Sequence, residues 1–289
     1  MAGDRHALPA VFEALRSDMG LQDLVPYYSR FIYQQVKANT KSLPMLNVLV
    51  SAAGALIANK ELHLQFHVQQ LLPAIFTCIV AARLSTSPGD NHWPLRAMAA
   101  EVVAHACRKY SEVCPELHAR VCKTYLDTVV AALAALPTDI DDAGQVQGDS
   151  QRTAALATLY GGLVGLSSLG QAVIRSVVLP QVPQVVKALD AVLAAGRRFR
   201  VLQQPSSSMA AHVDQTYAAE MCRSALLRAL GTYMVERNRC FGDLAWGSAS
   251  SGGSQHLPPH PTDVAGLEEP MIPYYVSFSK DMYYGRLFL

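Results

Sequence analysis

Apolar residues recur along this chain at the three- and four-residue spacing of helices that bury one side. Between residues 24 and 36 the set is Leu24, Tyr28, Phe31, Ile32 and Val36. Between 117 and 136 it is Leu117, Val121, Tyr125, Val129, Leu133 and Leu136. No convincing run alternates with the period of two that a half-buried strand shows. The pattern predicts an all-α chain, with further helices over 8–18, 42–58, 91–109, 152–168, 171–179 and 208–236.

The helices also repeat. L-V-P stands at 24–26, L-L-P at 71–73, V-C-P at 113–115 and V-L-P at 178–180. Each is a pair of apolar residues, then proline, then a helical pattern. The prolines are 47, 42 and 65 residues apart. The last gap holds an acidic, glycine-containing loop at 136–150, and without it that gap shrinks to about 50, close to the ~40–47 of HEAT-type repeats. Proline suits a first helical turn, where its missing N–H would have had no partner. Proline-led helices alternating with the others make about four pairs, none able to bury its apolar side alone. The expectation is a HEAT-like helical-repeat solenoid over 21–240, an N-terminal extension and helix over 1–20, and a linker with an aromatic tail over 241–289.

Composition narrows the function classes. Lys and Arg total 24 and Asp and Glu 23, so the charge is close to neutral. A surface built to neutralise phosphates would be more basic, so direct nucleic-acid binding is not expected. The apolar, uncharged run 42–59 is short for a membrane span and contains Pro44 and Asn47, so no membrane is expected. The N-terminus has no apolar signal segment. Six cysteines, at 78, 107, 114, 122, 222 and 240, lie scattered in helical sequence and read as reduced core thiols.

D-N-H-W-P-L-R, residues 90–96, places several reactive-looking groups together. Its simplest reading is a helix start. Asn91 would cap the helix, His92, Trp93 and Pro94 would form its first turn, and Asp90 would favour its positive end. Trp93, Ala97, Ala100, Ala104 and Cys107 would share one side and admit a second helix very close.

The same seven residues resemble the signature of the C-terminal HEAT domain of the TFIID subunit 6 family, which includes a paralogue in SAGA-type coactivators. L-Q-D-L-V-P-Y-Y-S-R-F-I at 21–32, L-L-P-A-I-F-T-C-I-V at 71–80, L-Y-G-G-L-V-G-L-S-S-L-G at 159–170 and V-I-R-S-V-V-L-P at 173–180 resemble further segments of that domain, in family order. Pro94 departs from the family pattern, and the 136–150 loop looks like an insertion. The resemblance implies a nuclear, non-catalytic scaffold that holds other subunits of a TFIID- or SAGA-like complex for RNA polymerase II initiation. It makes Asp90, Asn91, His92, Trp93, Leu95, Arg96, Tyr160, Gly161, Gly165, Gly170 and Pro180 the motif positions, with Arg96, Tyr160 and His92 as candidate partner contacts. The family normally also carries an N-terminal histone fold. This chain begins about twenty residues before the HEAT-like region, so histone-fold pairing is not expected from it.

Other candidate chemistry is weak. The glycines at 161, 162, 165 and 170 match neither G-x-G-x-x-G nor the P-loop, so Gly162 and Gly165 are expected where another backbone comes close. Gly170 suits a left-handed helix stop. His63 and His67 have the spacing of a zinc pair on one side of a helix but lack a third ligand, and Cys107, Cys114, Cys122 and His118 lack close C-x-x-C pairs. G-L-S-S-L-G is no nucleophile elbow. G-R-R-F-R at 196–200 reads as favourable charge at a helix end. No cofactor or enzymatic activity is expected. The alternatives are a HEAT adaptor of another assembly, or a helical metal-dependent enzyme using the two histidines.

Overall fold

The computed structural model describes residues 7–85, 90–136, 149–201 and 208–247, and every element among them is helical. The elements are α1 (Ala7–Ser17), a 3-10 turn (Met19–Leu24), α2 (Val25–Ala38), α3 (Leu43–Ala58), α4 (Val68–Val80), α5 (Trp93–Lys109), α6 (Pro115–Ala134), α7 (Asp149–Ser168), α8 (Gln171–Val173), a π turn (Ile174–Val178), α9 (Leu179–Val201) and α10 (Ser208–Gly247). Residues 137–148 of the expected insertion and 248–289 of the expected tail lie outside the described residues. Residues 241–247, expected to open the linker, continue α10. The chain divides into two compact units, 1–226 and 227–289, and the described part of the second is the end of α10.

Within the first unit the helices stack in chain order. α1, α3, α5 and α7 pack side by side, α2 packs on α4, and α6 on α9. The pairs α2/α3, α4/α5 and α6/α7 join these rows. α10 comes close to α9 at Gly196, where a methyl group would meet the Thr216 hydroxyl. This is the HEAT-like arrangement, in which each pair covers the apolar side of the next.

The prolines behave in three ways. Pro26 and Pro115 fall in first turns, as their missing N–H allows. Pro73 does not start a helix: α4 begins at Val68 because Val68, Leu71 and Leu72 all bury, and Pro73 lies inside it. Pro180 is exposed near the start of α9, inside a helical run that begins at Gln171. A regular helix would drive its ring into the Ser176 carbonyl. The wider π turn directly ahead accommodates it.

Two phases differ from expectation. In α2 the buried residues are Val25, Ser29, Ile32 and Val36, while Leu24 and Phe31 face solvent. Gly170 has the positive φ expected, 115°, but with ψ 175° it is an extended conformation open to glycine rather than a left-handed stop. Its carbonyl accepts the first bonds of the next helix, from the Val173 and Ile174 N–H groups.

The described stretch long and apolar enough to cross a membrane is Gln171–Arg197, not 42–59. It carries Arg175, Lys187 and Asp190 on its exposed side and buries Val173, Val178, Val182, Val185 and Leu189.

Candidate functional site

The 90–96 motif opens α5, though not as its sequence suggests. His92, in helical conformation, is the residue before the first turn, and its carbonyl accepts from Arg96 N–H. Trp93 and Pro94 therefore begin the helix. Asp90 and Asn91 are exposed ahead of it, and no side-chain cap bond is present at the helix start. Asn91 thus does not cap. Pro94 is exposed in the first turn, where it removes no hydrogen bond. Leu95 is buried. So are Ala99, Val103 and Ala106, because α5 is enclosed by α3, α4 and α7 rather than packed on one side. Ala97, expected in a buried stripe, is half-buried.

Arg96 is the centre of the site. The last carbonyls of a helix have no partner within it and carry partial negative charge. At the end of α4 the Arg96 guanidinium answers both needs: Nη1 donates to Ile79 O at 2.5 Å and Nη2 to Ala81 O at 2.6 Å. Thr158 Oγ1 on α7 stands 3.0 Å from the Val80 carbonyl between them and 3.0 Å from Ala154 O of its own helix, so its single proton is shared between the two. The third guanidinium nitrogen, Nε, donates to His92 Nδ1 at 3.1 Å. One side chain thereby joins α5 to α4, with α7 completing the joint. Burial pulls the Arg96 guanidinium down to about 10, which leaves it a cation at neutral pH. The buried thiols near it do not balance that charge. Desolvation pushes Cys78 up to about 12 and raises Cys222 as well, so both stay protonated. The helix-end carbonyls supply the compensation. Arg96 is 0% exposed and Tyr160 5%, so neither is a surface on which a partner could settle, as the sequence had suggested. Burial took both, because the end of α4 and the Trp93 ring needed them.

His92 is held neutral by burial and by the Arg96 charge, which pull it down to about 4. Its Nδ1 accepts, so the proton sits on Nε2. Because the folded value lies below the ordinary 6.5, the unfolded chain binds the proton first. The stability this contact contributes is present in full above pH 6.5 and is lost as pH falls toward 4. A His92→Gln variant, which keeps an acceptor but does not titrate, should lose less stability than the parent over that window. Melting curves taken across it for both proteins check this.

Trp93 packs its edge on Tyr160, with centroids 4.8 Å apart and planes at 75°. Tyr160 begins the glycine segment of α7, and three of its glycines are spaces for α4 and α6. A Cβ on Gly161 would collide with the Ile79 carbonyl, one on Gly162 would meet Val129 Cγ2 at 2.6 Å, and one on Gly165 would enter the Tyr125 ring. Close backbone approach therefore belongs to Gly161. Gly162, where it was also expected, has the α6 backbone within contact (Tyr125 O 3.5 Å and Val129 N 3.6 Å from a Cβ) behind the Val129 side chain, while Gly165 receives a side chain alone. The Ile79 carbonyl is also the acceptor of Arg96, so Gly161 and Arg96 serve one joint. Gly161→Ala should destabilise by about 2 kcal/mol, the usual scale of overpacking. Chemical denaturation at unchanged slope is the measurement.

Two more cations of α5 repeat the device on other neighbours. Lys109 Nζ donates to Ile57 O at 2.9 Å and Asn59 O at 2.5 Å, at the end of α3. Arg108 Nη1 reaches Ser168 O, the end of α7, at 3.4 Å. Asn59 is itself buried and donates to Leu15 O and Asp18 O, each at 3.0 Å, which secures the end of α1. Sequence reasoning missed Lys109, Asn59 and Thr158. A basic residue in a last turn is ordinarily assigned to its own helix end, and nothing local says that it serves the next one.

Metal chemistry finds no support among the described residues, where no group of three or more His, Cys, Asp or Glu stands close enough to hold an ion. His63 and His67 are not on one side of a helix but in the connection before α4, and the His63 N–H donates to Gln22 Oε1 at 2.8 Å. Cys78, Cys107 and Cys222 are buried free thiols, while Cys114 and Cys122 are half-buried. The Arg197 end of the 196–200 cluster continues α9, and the side chains at 198–200 lie outside the described residues.

Comparison with known proteins bears on the same segments. The family model described as the TAF6 C-terminal HEAT repeat domain matches residues 2–183. A transcription initiation factor TFIID subunit 6b of Arabidopsis thaliana is 32% identical over 58% of this chain and 28% of its own length. A SAGA complex/transcription factor TFIID complex subunit Taf6 of Schizosaccharomyces pombe is 30% identical over 76% of this chain and 41% of its own. The chain thus spans less than half the length of these curated relatives. A solved TAF6 C-terminal domain from Antonospora locustae aligns with 62% of this chain and 78% of its own, at 23% identity and a TM-score of 0.47.

Proposed function

Because this chain belongs to the TAF6 C-terminal HEAT-repeat domain family, we propose that it is a non-catalytic scaffold subunit of a TFIID- or SAGA-like complex. It works in the nucleus, where it supports RNA polymerase II initiation by holding other subunits. One observation carries this reading: the family match runs through residues 2–183 of a chain whose paired helices stack in order. The relatives named above are TFIID and SAGA subunits, and that is the support for the choice of complex. The joint at Arg96 suits the role, since it spends its polar groups on fixing helices to one another and presents no reacting group to solvent. A rigid stack offers partners a constant shape.

The test is purification of the tagged chain from its native cells, followed by mass spectrometry. Recovery of TFIID or SAGA subunits in stoichiometric amounts is the expected result, and which set is recovered decides between the two complexes. Recovery of neither overturns the reading. A salt-dependent titration with duplex DNA should show no tight binding, in line with the near-neutral charge.

A further inference from the structure

The signature motif is turned inward, so a partner must meet this protein elsewhere. Among the described residues the exposed large apolar side chains concentrate between Met19 and Tyr33. Met19 is 71% exposed, Leu24 44%, Tyr27 72%, Phe31 54% and Tyr33 38%. Leu24, Tyr27 and Phe31 stand three and four residues apart, so they line one side of α2. It is the side opposite the buried Val25, Ser29, Ile32 and Val36. A helix side that faces water normally carries polar residues.

The position of α2 explains why this side is bare. It is the first proline-led helix, packed on α3, α4 and the 3-10 turn. Among the described residues no helix precedes it in its row, since α1 packs on α3. The side it leaves to water has Leu24, Tyr27 and Phe31 where polar residues ordinarily stand. Charge specifies what would cover it. Arg30 and Lys37, both exposed and seven residues apart, run along one border of the apolar strip, and α2 contains no aspartate or glutamate. The nearest acid in sequence, Asp23, lies in the preceding turn.

We propose that this side of α2 docks an amphipathic helix of a partner protein whose apolar stripe is edged by aspartate or glutamate. The incoming helix takes the place of a further member of the row. Its stripe covers Leu24, Tyr27 and Phe31, and its carboxylates face Arg30 and Lys37. That the occupant is a protein rests on the scaffold reading above.

The experiment uses the full chain and a labelled helical peptide with a leucine stripe edged by glutamates. A second peptide has lysines in place of the glutamates. Fluorescence anisotropy should show binding of the first, weakening with salt, and much weaker binding of the second. The double variant Tyr27→Ala, Phe31→Ala should lose about tenfold or more in affinity. Arg30→Glu with Lys37→Glu should reverse the preference between the peptides. All four side chains are exposed, so these variants should melt like the parent. Equal binding of both peptides, no binding, or indifference to both variants overturns the proposal. So does a Phe31-dependent dimer in sedimentation, or Phe31-dependent binding to phosphatidylserine vesicles, either of which assigns the face to another occupant. If the peptide fails while the tagged chain still recovers transcription subunits, the docking side alone is wrong; if recovery fails as well, the scaffold reading falls with it.

Discussion

Replacing Arg96 with methionine should lower the unfolding free energy by about 3 kcal/mol, since it removes the bond to His92 and two charged-donor bonds to carbonyls of about 1.5–3 kcal/mol each, and recovers part of that by no longer burying a cation. The two acceptors, Ile79 O and Ala81 O, sit at the end of α4 in a site where Arg96 is fully buried. Methionine keeps most of the stem and packs, so the loss reports on the guanidinium. Lysine should recover only part of it. A single ammonium can span two carbonyls, as Lys109 does, but it lacks the planar fork that here also reaches the His92 ring. Denaturant titration of both variants measures the loss, and hydrogen exchange should place it at the last turn of α4. If the methionine variant were as stable as the parent, the joint would be incidental and the motif would need another explanation.

Trp93→Ala should cost more, about 3–5 kcal/mol, because a large aromatic leaves a cavity that the surrounding helices fill only in part. Trp93 is 6% exposed, contacts the tilted His92 ring at 4.3 Å, and meets Tyr160 edge-on at 4.8 Å and Tyr217 at 6.2 Å between centroids. The side chain thus touches groups from α5, α7 and α10, and its loss loosens three helices at once. A cycle with Tyr160→Leu separates the aromatic pair from the area buried; the coupling should be about 1 kcal/mol. A loss below 1 kcal/mol for Trp93→Ala would mean that the ring is not an anchor.

The helices themselves were legible in the sequence because each is a local, periodic property. Leu117, Val121, Tyr125 and Val129 bury along α6 as their spacing says. α2 shows where that reading fails. It has apolar residues on two sides, and Leu24 and Phe31 fit the helical period as well as Val25 and Ile32 do. Only the placement of α3 and α4 decides which set is covered. Pro73 shows a second failure: its ring marks a helix start by local rules, yet the burial of Val68, Leu71 and Leu72 extends the helix ahead of it. At the motif, Asn91 is a good cap residue by type, but the chain reaches helical conformation only at His92 and leaves Asn91 in solvent.

From sequence alone came the all-α class, the order and number of the main helices, the repeat, the family resemblance and the absence of a phosphate loop. Apart from the resemblance, which rests on matched segments, these follow from spacings of a few residues, which the chain carries whatever it packs against. Tertiary structure decided which way Arg96, Tyr160 and Lys109 face, which glycine yields to a backbone, and which side of α2 stays bare. Arg96 finds its carbonyls 15 and 17 residues away, Lys109 finds its own 50 and 52 away, and Thr158 reaches across 78. A helix end must satisfy its carbonyls with whatever donor the fold brings there, and that donor is set by which helices become neighbours, a choice no local pattern encodes.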